Sequence, residues 1–179
     1  MWSGAGPGCA VTDPARPLPP ALDESSGVAA SLTHSGVYWT HSDDQGLGVI
    51  FAVDGTGKEL ARVQLDGVTI FDFEDIAAAR CGDEFCLYLA DTGDNYDERA
   101  SLVVYRMVEP PTTSATVPVQ HIPIKLPDGP RDVEAIFVLP GEQLFLVTKG
   151  HEQPIVVYRY PGALKPDTLV TVQEVQRLS

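Results

Sequence analysis

Two short stretches of the sequence, sixty positions apart, each place two carboxylates at alternate positions. The stretches are residues 72–76 (DFEDI), with Asp72 and Glu74, and residues 132–136 (DVEAI), with Asp132 and Glu134. Because alternate residues of a β-strand face the same side, the two acids of each stretch project together. Clustered carboxylate oxygens suit Ca²⁺, which takes about six to eight oxygen ligands. The alternative is that these acids accept hydrogen bonds from backbone amides and hold no metal.

A weaker copy of the same stretch lies earlier, at residues 24–28 (ESSGV). If the three strands line a common channel, the side chains at equivalent positions form a ring of oxygens. Like charges this close need a cation, hydrogen bonds or raised pKa values to coexist. We therefore predict a calcium site that includes Glu24, Asp72, Glu74, Asp132 and Glu134.

A second acidic segment, residues 91–98 (DTGDNYDE), follows an apolar strand. Its spacing does not fit the EF-hand loop, because the glycine comes too early and no glutamate follows at the required distance. Two interpretations stay open for Asp91, Asp94 and Asn95. They are further metal ligands, or they form a turn held by Asp and Asn hydrogen bonds, with Arg99 as an ionic clamp.

Candidate catalytic residues are few. His41 follows a predicted strand at the place that Asp91 holds in the next unit, where it would act as a general base or metal ligand beside carboxylates. A structural histidine is the alternative, and Glu74 is the second candidate base. The sequence contains neither a G-x-S-x-G nucleophile elbow nor an H-E-x-x-H zinc motif.

The acidic stretches belong to a larger repeat. Similar apolar runs follow each of them, and the third strands, residues 102–106 (LVVYR) and 155–159 (IVVYR), are nearly identical. Units of four short strands with this spacing are typical of β-propeller blades. We predict an all-β chain with four-stranded antiparallel blades over residues 23–67, 68–127 and 128–179. A sandwich or open barrel is the alternative.

Three blades fall short of the four that a closed propeller usually needs. The prediction is therefore a partial propeller. Its open blade edges favour pairing between two copies, since unpaired strands are adhesive. A homodimer through these edges is accordingly predicted.

Composition excludes some partners. The chain of 179 residues carries a net charge of −13, which argues against nucleic-acid binding. No apolar run is long enough to span a membrane. Residues 1–22 are rich in proline and glycine and predict a flexible lead. The lead is not an intact signal peptide, but it is similar to the segment that follows one, and it predicts an extracellular or periplasmic protein.

The three cysteines leave alternatives open. Cys81 and Cys86 flank a tight turn, where they form a disulfide or remain two buried thiols. Cys9 lies in the lead, as a lipid-attachment residue or an unpaired thiol.

Several of these segments together resemble secreted bacterial β-propellers of the phytase-like and NHL-like kind. The resemblance rests on residues 24–28, the two DxE stretches, residues 90–95 (ADTGDN) with Arg99 after them, and the later Glu109-Pro110, and it covers about residues 22–150. It implies a propeller fold. Such propellers include ester, lactone and phosphate hydrolases and also members without known catalysis.

The expected function is an extracellular module that binds a ligand or another protein, with Ca²⁺ as a stabilising ion. The first alternative is a Ca²⁺-dependent hydrolase of phosphate esters, carboxylic esters or lactones. The second is a partial propeller without activity of its own. Whether the chain is an enzyme stays open at this stage.

Overall fold

The computed structural model describes residues 15–22, 24–42, 46–150 and 153–178, and the all-β prediction is confirmed there. Within these ranges no helix occurs, and none therefore is long and apolar enough to cross a bilayer. The strands are β1 (Val28–Ala30), β2 (Val37–His41), β3 (Gly46–Asp54), β4 (Glu59–Ile70), β5 (Phe73–Cys81), β6 (Glu84–Asp91), β7 (Leu102–Val108), β8 (Ala115–Val117), β9 (Gln120–Lys125), β10 (Val133–Leu139), β11 (Gln143–Thr148), β12 (Ile155–Arg159), β13 (Val170–Thr171) and β14 (Gln173–Leu178).

The strands form three sheets, each built on an antiparallel meander of four. The first sheet has the order β1-β2-β3-β4-β8, the second β5-β6-β7-β9-β13 and the third β10-β11-β12-β14. Strands β8 and β13 each lie in the connection before the last strand of the following meander. Both pair in parallel with the outer strand of the preceding sheet, β8 with β4 and β13 with β9. Neighbouring sheets are thus linked by backbone hydrogen bonds as well as by packing.

Strand β6 shows why the middle sheet carries an almost continuous apolar run. Leu87 and Leu89 belong to the core shared with the first sheet, whereas Tyr88 and Ala90 belong to the core shared with the third. A strand buried on both faces cannot alternate between apolar and polar residues. The second sheet therefore lies between the other two.

The turn between β5 and β6 carries a disulfide. Cys81 and Cys86 are joined across the hairpin, with their Cα atoms 5.8 Å apart. Gly82 makes the turn at a φ of 62°, a conformation that favours glycine. Cys9 lies outside the described residues.

The last part of the predicted flexible lead is packed in the structure. The amide of Leu22 donates to the carbonyl of Pro19 at 2.8 Å, which closes a turn. The Leu22 side chain is buried against Phe51 and Val53 on the outward face of the first sheet. The structure differs from the prediction because Ala21 and Leu22 supply apolar surface that can pack. The prediction considered only the high proline and glycine content of the segment.

Candidate metal centre

The second and third sheets meet where β5 and β10 begin. The amide of Val133 donates to the carbonyl of Thr92 at 3.3 Å, and the Thr92 hydroxyl donates to the carbonyl of Val133 at 2.7 Å. The Asp75 carboxylate accepts the amide of Ile136 at 2.9 Å and that of Ile76 at 2.8 Å. Burial raises the pKa of Asp75, although these two hydrogen bonds oppose the shift. The two acidic stretches are thereby held next to each other.

Three carboxylates converge at this junction. One oxygen from each of Glu74, Asp132 and Glu134 lies within 4.8 Å of the other two. Glu74 and Asp132 are each only 8% exposed, while Glu134 is half-buried. The structure thus brings together the second acid of one stretch with both acids of the other, as the predicted site requires.

Asp72 reaches the same place because position 93 is a glycine. A Cβ atom there would lie 2.3 Å from Oδ2 of Asp72 and 2.4 Å from Oε1 of Glu74. Any side chain would therefore displace both carboxylates. The amides at 92 and 93 also donate to the carbonyl of Asp72, at 3.1 and 3.2 Å, which fixes the start of the stretch.

Lys149 places an ammonium group at the edge of the cluster. Its Nζ lies 2.5 Å from Oε1 of Glu134 and 3.2 Å from Oδ2 of Asp132. The hydrogen bond with Glu134 is the main reason that the pKa of Lys149 is raised above its usual value. Its side chain is 44% exposed, so it can leave the cluster without opening the core.

Among the described residues, the junction holds four carboxylates together with the Lys149 ammonium, which contacts Asp132 and Glu134. Oxygen ligands with excess negative charge are the donor set of hard divalent cations such as Ca²⁺. The three converging carboxylates could therefore hold a metal ion.

Asp91 forms hydrogen bonds and an ion pair within the protein and is not one of the converging carboxylates. Its carboxylate accepts the amides of Phe71 at 3.3 Å and Asp72 at 3.1 Å, and it forms an ion pair with Arg99 at 3.0 Å. Burial raises the pKa of Asp91, and Arg99 and the two amides oppose that shift. Asp91 thus positions the first acidic stretch, and Arg99 is the clamp that one interpretation predicts.

Asp94 is also held by its own loop. Its carboxylate accepts the amides of Glu98 at 2.8 Å and Arg99 at 2.9 Å, while its own amide donates to Oδ1 of Asp132 at 3.0 Å. Asn95 is exposed, and its Oδ1 lies 3.5 Å from Nζ of Lys149. The loop therefore orients Asp132 and Lys149, as the hydrogen-bonded turn interpretation predicts.

None of the described residues of the first unit joins the cluster. Glu24 is exposed and is not part of the converging group. The hydroxyl of Ser26, at the position of Glu74, donates to the carbonyl of Phe73 at 2.9 Å. A neutral hydrogen bond therefore replaces the carboxylate in this copy.

His41 is buried between the first and second sheets. It is 0% exposed, and neither ring nitrogen has a well-aligned hydrogen-bond partner among the described residues. Burial lowers its pKa to about 4, which a weaker contact with the Ser42 backbone opposes. A neutral, enclosed imidazole is not placed to take a proton from a bound substrate, so the structure favours the structural alternative.

Sequence reasoning overlooked two supporting residues. The sequence patterns assign no role to Asp75 beyond its place in an acidic stretch, and they mark Gly93 only as a glycine that comes too early for an EF-hand loop. The repeat offered a signal for Asp75, because it aligns with Gly27 and Ala135 and only the second unit carries a carboxylate at this position. Such a departure from the repeat was the available signal.

Comparisons with protein-family models, with curated proteins and with solved structures find no match for the chain. The likeness to phytase-like and NHL-like propellers therefore stays a prediction that rests on the sequence patterns alone.

Proposed function

We propose that this chain is a ligand- or protein-binding module of the β-propeller type, with its second and third sheets joined by a bound Ca²⁺ ion. Glu74, Asp132 and Glu134 hold the ion, and Asp72 supports them. The observation that carries the proposal is the convergence of three carboxylate oxygens within 4.8 Å.

The chemistry of the donors supports calcium. All of the converging atoms are oxygens, and two of the three carboxylates are almost fully buried. Repulsion between carboxylates in such a place is costly unless a cation offsets it. Lys149 supplies a single charge at the exposed side, whereas a divalent ion would offset two carboxylate charges.

A binding function agrees with the site better than hydrolysis. The hydrolase alternative requires a base that reaches the substrate, and His41 is enclosed in a protein core. Glu74, the other candidate, lies among the proposed ligands, where a bound cation would suppress its basicity. We therefore assign the ion a stabilising role.

We propose that the protein is exported. The disulfide between Cys81 and Cys86 supports export, because disulfides persist mainly in oxidising compartments. The net charge of −13 is also consistent with an extracellular module.

Thermal unfolding in EDTA and then with added calcium tests the proposal. An ion that binds only the folded state, at about 100 times its Kd, stabilises it by about 2.7 kcal/mol. For a chain of this size, that corresponds to a rise in Tm of roughly 5–10 °C.

The Glu134→Gln variant should lose this rise, because it removes a ligand charge at the half-buried position. Glu84→Gln is the matched control, since Glu84 is an exposed acid at the start of β6. An equal calcium response in both variants and in the unmodified chain would refute the proposed centre.

A further inference from the structure

A cavity opens in the second sheet at the opposite end of β5 from the carboxylate cluster. It lies where the β5–β6 turn, the end of β7 and the link between β8 and β9 come together, and its volume is about 370 Å³. Cys81, the last residue of β5, lines it, whereas Glu74 is the second residue of that strand. Since cavities that hold small molecules have volumes of about 300–1,000 Å³, this one is large enough for a ligand.

Most residues of the cavity wall are apolar, and several of them are fixed in place. The disulfide joins Cys81 to Cys86 across the hairpin, and both residues are buried. Met107 is buried as well, and Val119 packs against the core to which Met107 belongs. Because a covalent bond and core packing hold these side chains, the cavity exists before any ligand enters. An apolar molecule would be transferred from water to an apolar wall, which is favourable.

Arg106 is a charged residue of the wall, and the protein holds its guanidinium in one orientation. Its Nη1 donates to Oε1 of Gln120 at 2.9 Å, and its Nη2 lies 2.9 Å from Oε1 of Glu142. The hydroxyl of Tyr88 also donates to Oε1 of Glu142, at 2.7 Å. Partners from the second and third sheets therefore position this guanidinium at the cavity.

The guanidinium of Arg106 keeps hydrogen-bonding capacity that the described residues do not use. Its Nε is buried and has no hydrogen-bond partner among them. A buried donor without an acceptor is unfavourable, and native structures keep few of them. The side chain as a whole is 21% exposed, so an acceptor can approach the guanidinium from the cavity. The unused donor indicates a ligand that brings an acceptor.

The charges around Arg106 favour an acceptor without charge. Glu142 already balances the guanidinium, and the carboxylate of Glu84 also lines the cavity, where it would repel an anion. We infer that this cavity binds a small uncharged molecule whose apolar body contacts the disulfide and Met107 and whose carbonyl group accepts a hydrogen bond from Arg106. The inference does not depend on calcium, because none of the proposed ion ligands lines the cavity.

Titration of the isotope-labelled full chain with two probes, followed by NMR in EDTA, tests the inference. The probes are 2-acetylnaphthalene and 2-ethylnaphthalene, which share one ring system and differ in a carbonyl group. We expect saturable shifts of the amide signals of Met107, Val119 and Gln120 with the ketone. The hydrocarbon should bind about tenfold more weakly, because it offers no acceptor to the guanidinium.

Arg106→Met should abolish the preference for the ketone, because it removes the donor and keeps an unbranched apolar side chain. Arg80→Met is the matched control. Arg80 belongs to the same hairpin, but its side chain is 64% exposed and does not line the cavity. This variant should bind the ketone about tenfold more tightly than the hydrocarbon, as the unmodified chain does.

A second pair of variants tests the cavity directly, since Arg106→Met also breaks the ion pair with Glu142. Val108→Trp should fill the cavity and abolish the binding of both probes. Val175→Trp is its control, because Val175 is likewise an exposed strand valine, and it should leave binding unchanged. The inference would be overturned by a lack of saturable binding, by a hydrocarbon that binds as tightly as the ketone, by a ketone preference that persists in Arg106→Met, or by unaltered binding in Val108→Trp.

Discussion

The repeated stretch lies at both junctions between sheets, the earlier one between the first and second sheets and the later one between the second and third. The two junctions differ in the charge of the side chains that meet there. At the later junction, Glu74, Asp132 and Glu134 bring negative charge together. At the earlier junction, the equivalent position holds Ser26, and its hydroxyl forms one neutral hydrogen bond. The repeat therefore determines where side chains meet, and the residue type determines what they do there.

The earlier junction is held by enclosed groups. His41 is buried edge-on to Phe73, with ring centroids 5.7 Å apart. Gly27 permits this closeness, because a Cβ there would lie 2.8 Å from Nε2 of His41 and 2.8 Å from Cα of Asp75. In the second unit, Asp75 stands at the position of Gly27 and reaches across to the third sheet instead.

Glu109 completes the earlier junction from the second sheet. Its carboxylate accepts Nε1 of Trp39 at 2.9 Å and the amide of Leu32 at 3.1 Å, and it also accepts the Ser31 hydroxyl. Burial alone would raise the pKa of Glu109, but the hydrogen bonds outweigh it and the net shift is downward. This acid is thus structural, whereas those of the later junction are proposed to hold an ion.

The largest effect is expected for Glu109→Ala. This change leaves the indole N–H of Trp39 and a backbone amide without their acceptor, at a cost of about 3 kcal/mol or more in the free energy of unfolding. Urea unfolding followed by tryptophan fluorescence measures it. Glu84→Ala is the exposed control and should cost little. A small effect of Glu109→Ala would remove the distinction between the two junctions.

The second prediction concerns pH. The folded chain lowers the pKa of His41 to about 4 from 6.5, so between these values the unfolded chain binds more protons. Stability should therefore be highest above pH 6.5 and should fall as the pH drops towards 4. The difference accumulates to about 3 kcal/mol at most.

His41→Leu should flatten that part of the pH dependence. It should leave stability at neutral pH similar or higher, since it replaces a buried imidazole whose nitrogens have no well-aligned hydrogen-bond partner among the described residues. Melting temperatures of the unmodified chain and of His41→Leu, measured across this pH range, test this prediction. An unchanged slope in the variant would show that other groups cause the acid sensitivity.

The smallest effect is expected at Lys149. Lys149→Met removes the ammonium that shares Glu134 and Asp132 with the proposed ion, and we expect calcium affinity to rise about tenfold, or about 1.4 kcal/mol. Without calcium, the variant should be slightly less stable, by less than about 1 kcal/mol, because the ammonium is partly exposed. Calorimetric titration measures the affinity; a fall in affinity would mean that Lys149 assists the site.

The strands and the meeting of the two acidic stretches were predictable, because alternation and repetition reflect local backbone geometry. Glu74, Asp132 and Glu134 followed from this regularity. The sequence pattern did not predict that Glu24 lies outside the cluster or that His41 is buried. It also did not predict the roles of Asp91 and Asp94. They depend on which neighbouring amides and side chains the tertiary packing brings within hydrogen-bonding distance, and a single sequence does not contain those distances.

The most direct measurement is isothermal titration of the calcium-free chain with Ca²⁺. We expect one ion bound per chain. Binding should be abolished or weakened at least tenfold by Glu134→Gln and by Glu74→Gln, and it should be unchanged in Glu84→Gln. Absence of binding heat together with an unchanged melting temperature, or equal binding in all three variants, would contradict the claim that the repeated acids form a cation centre.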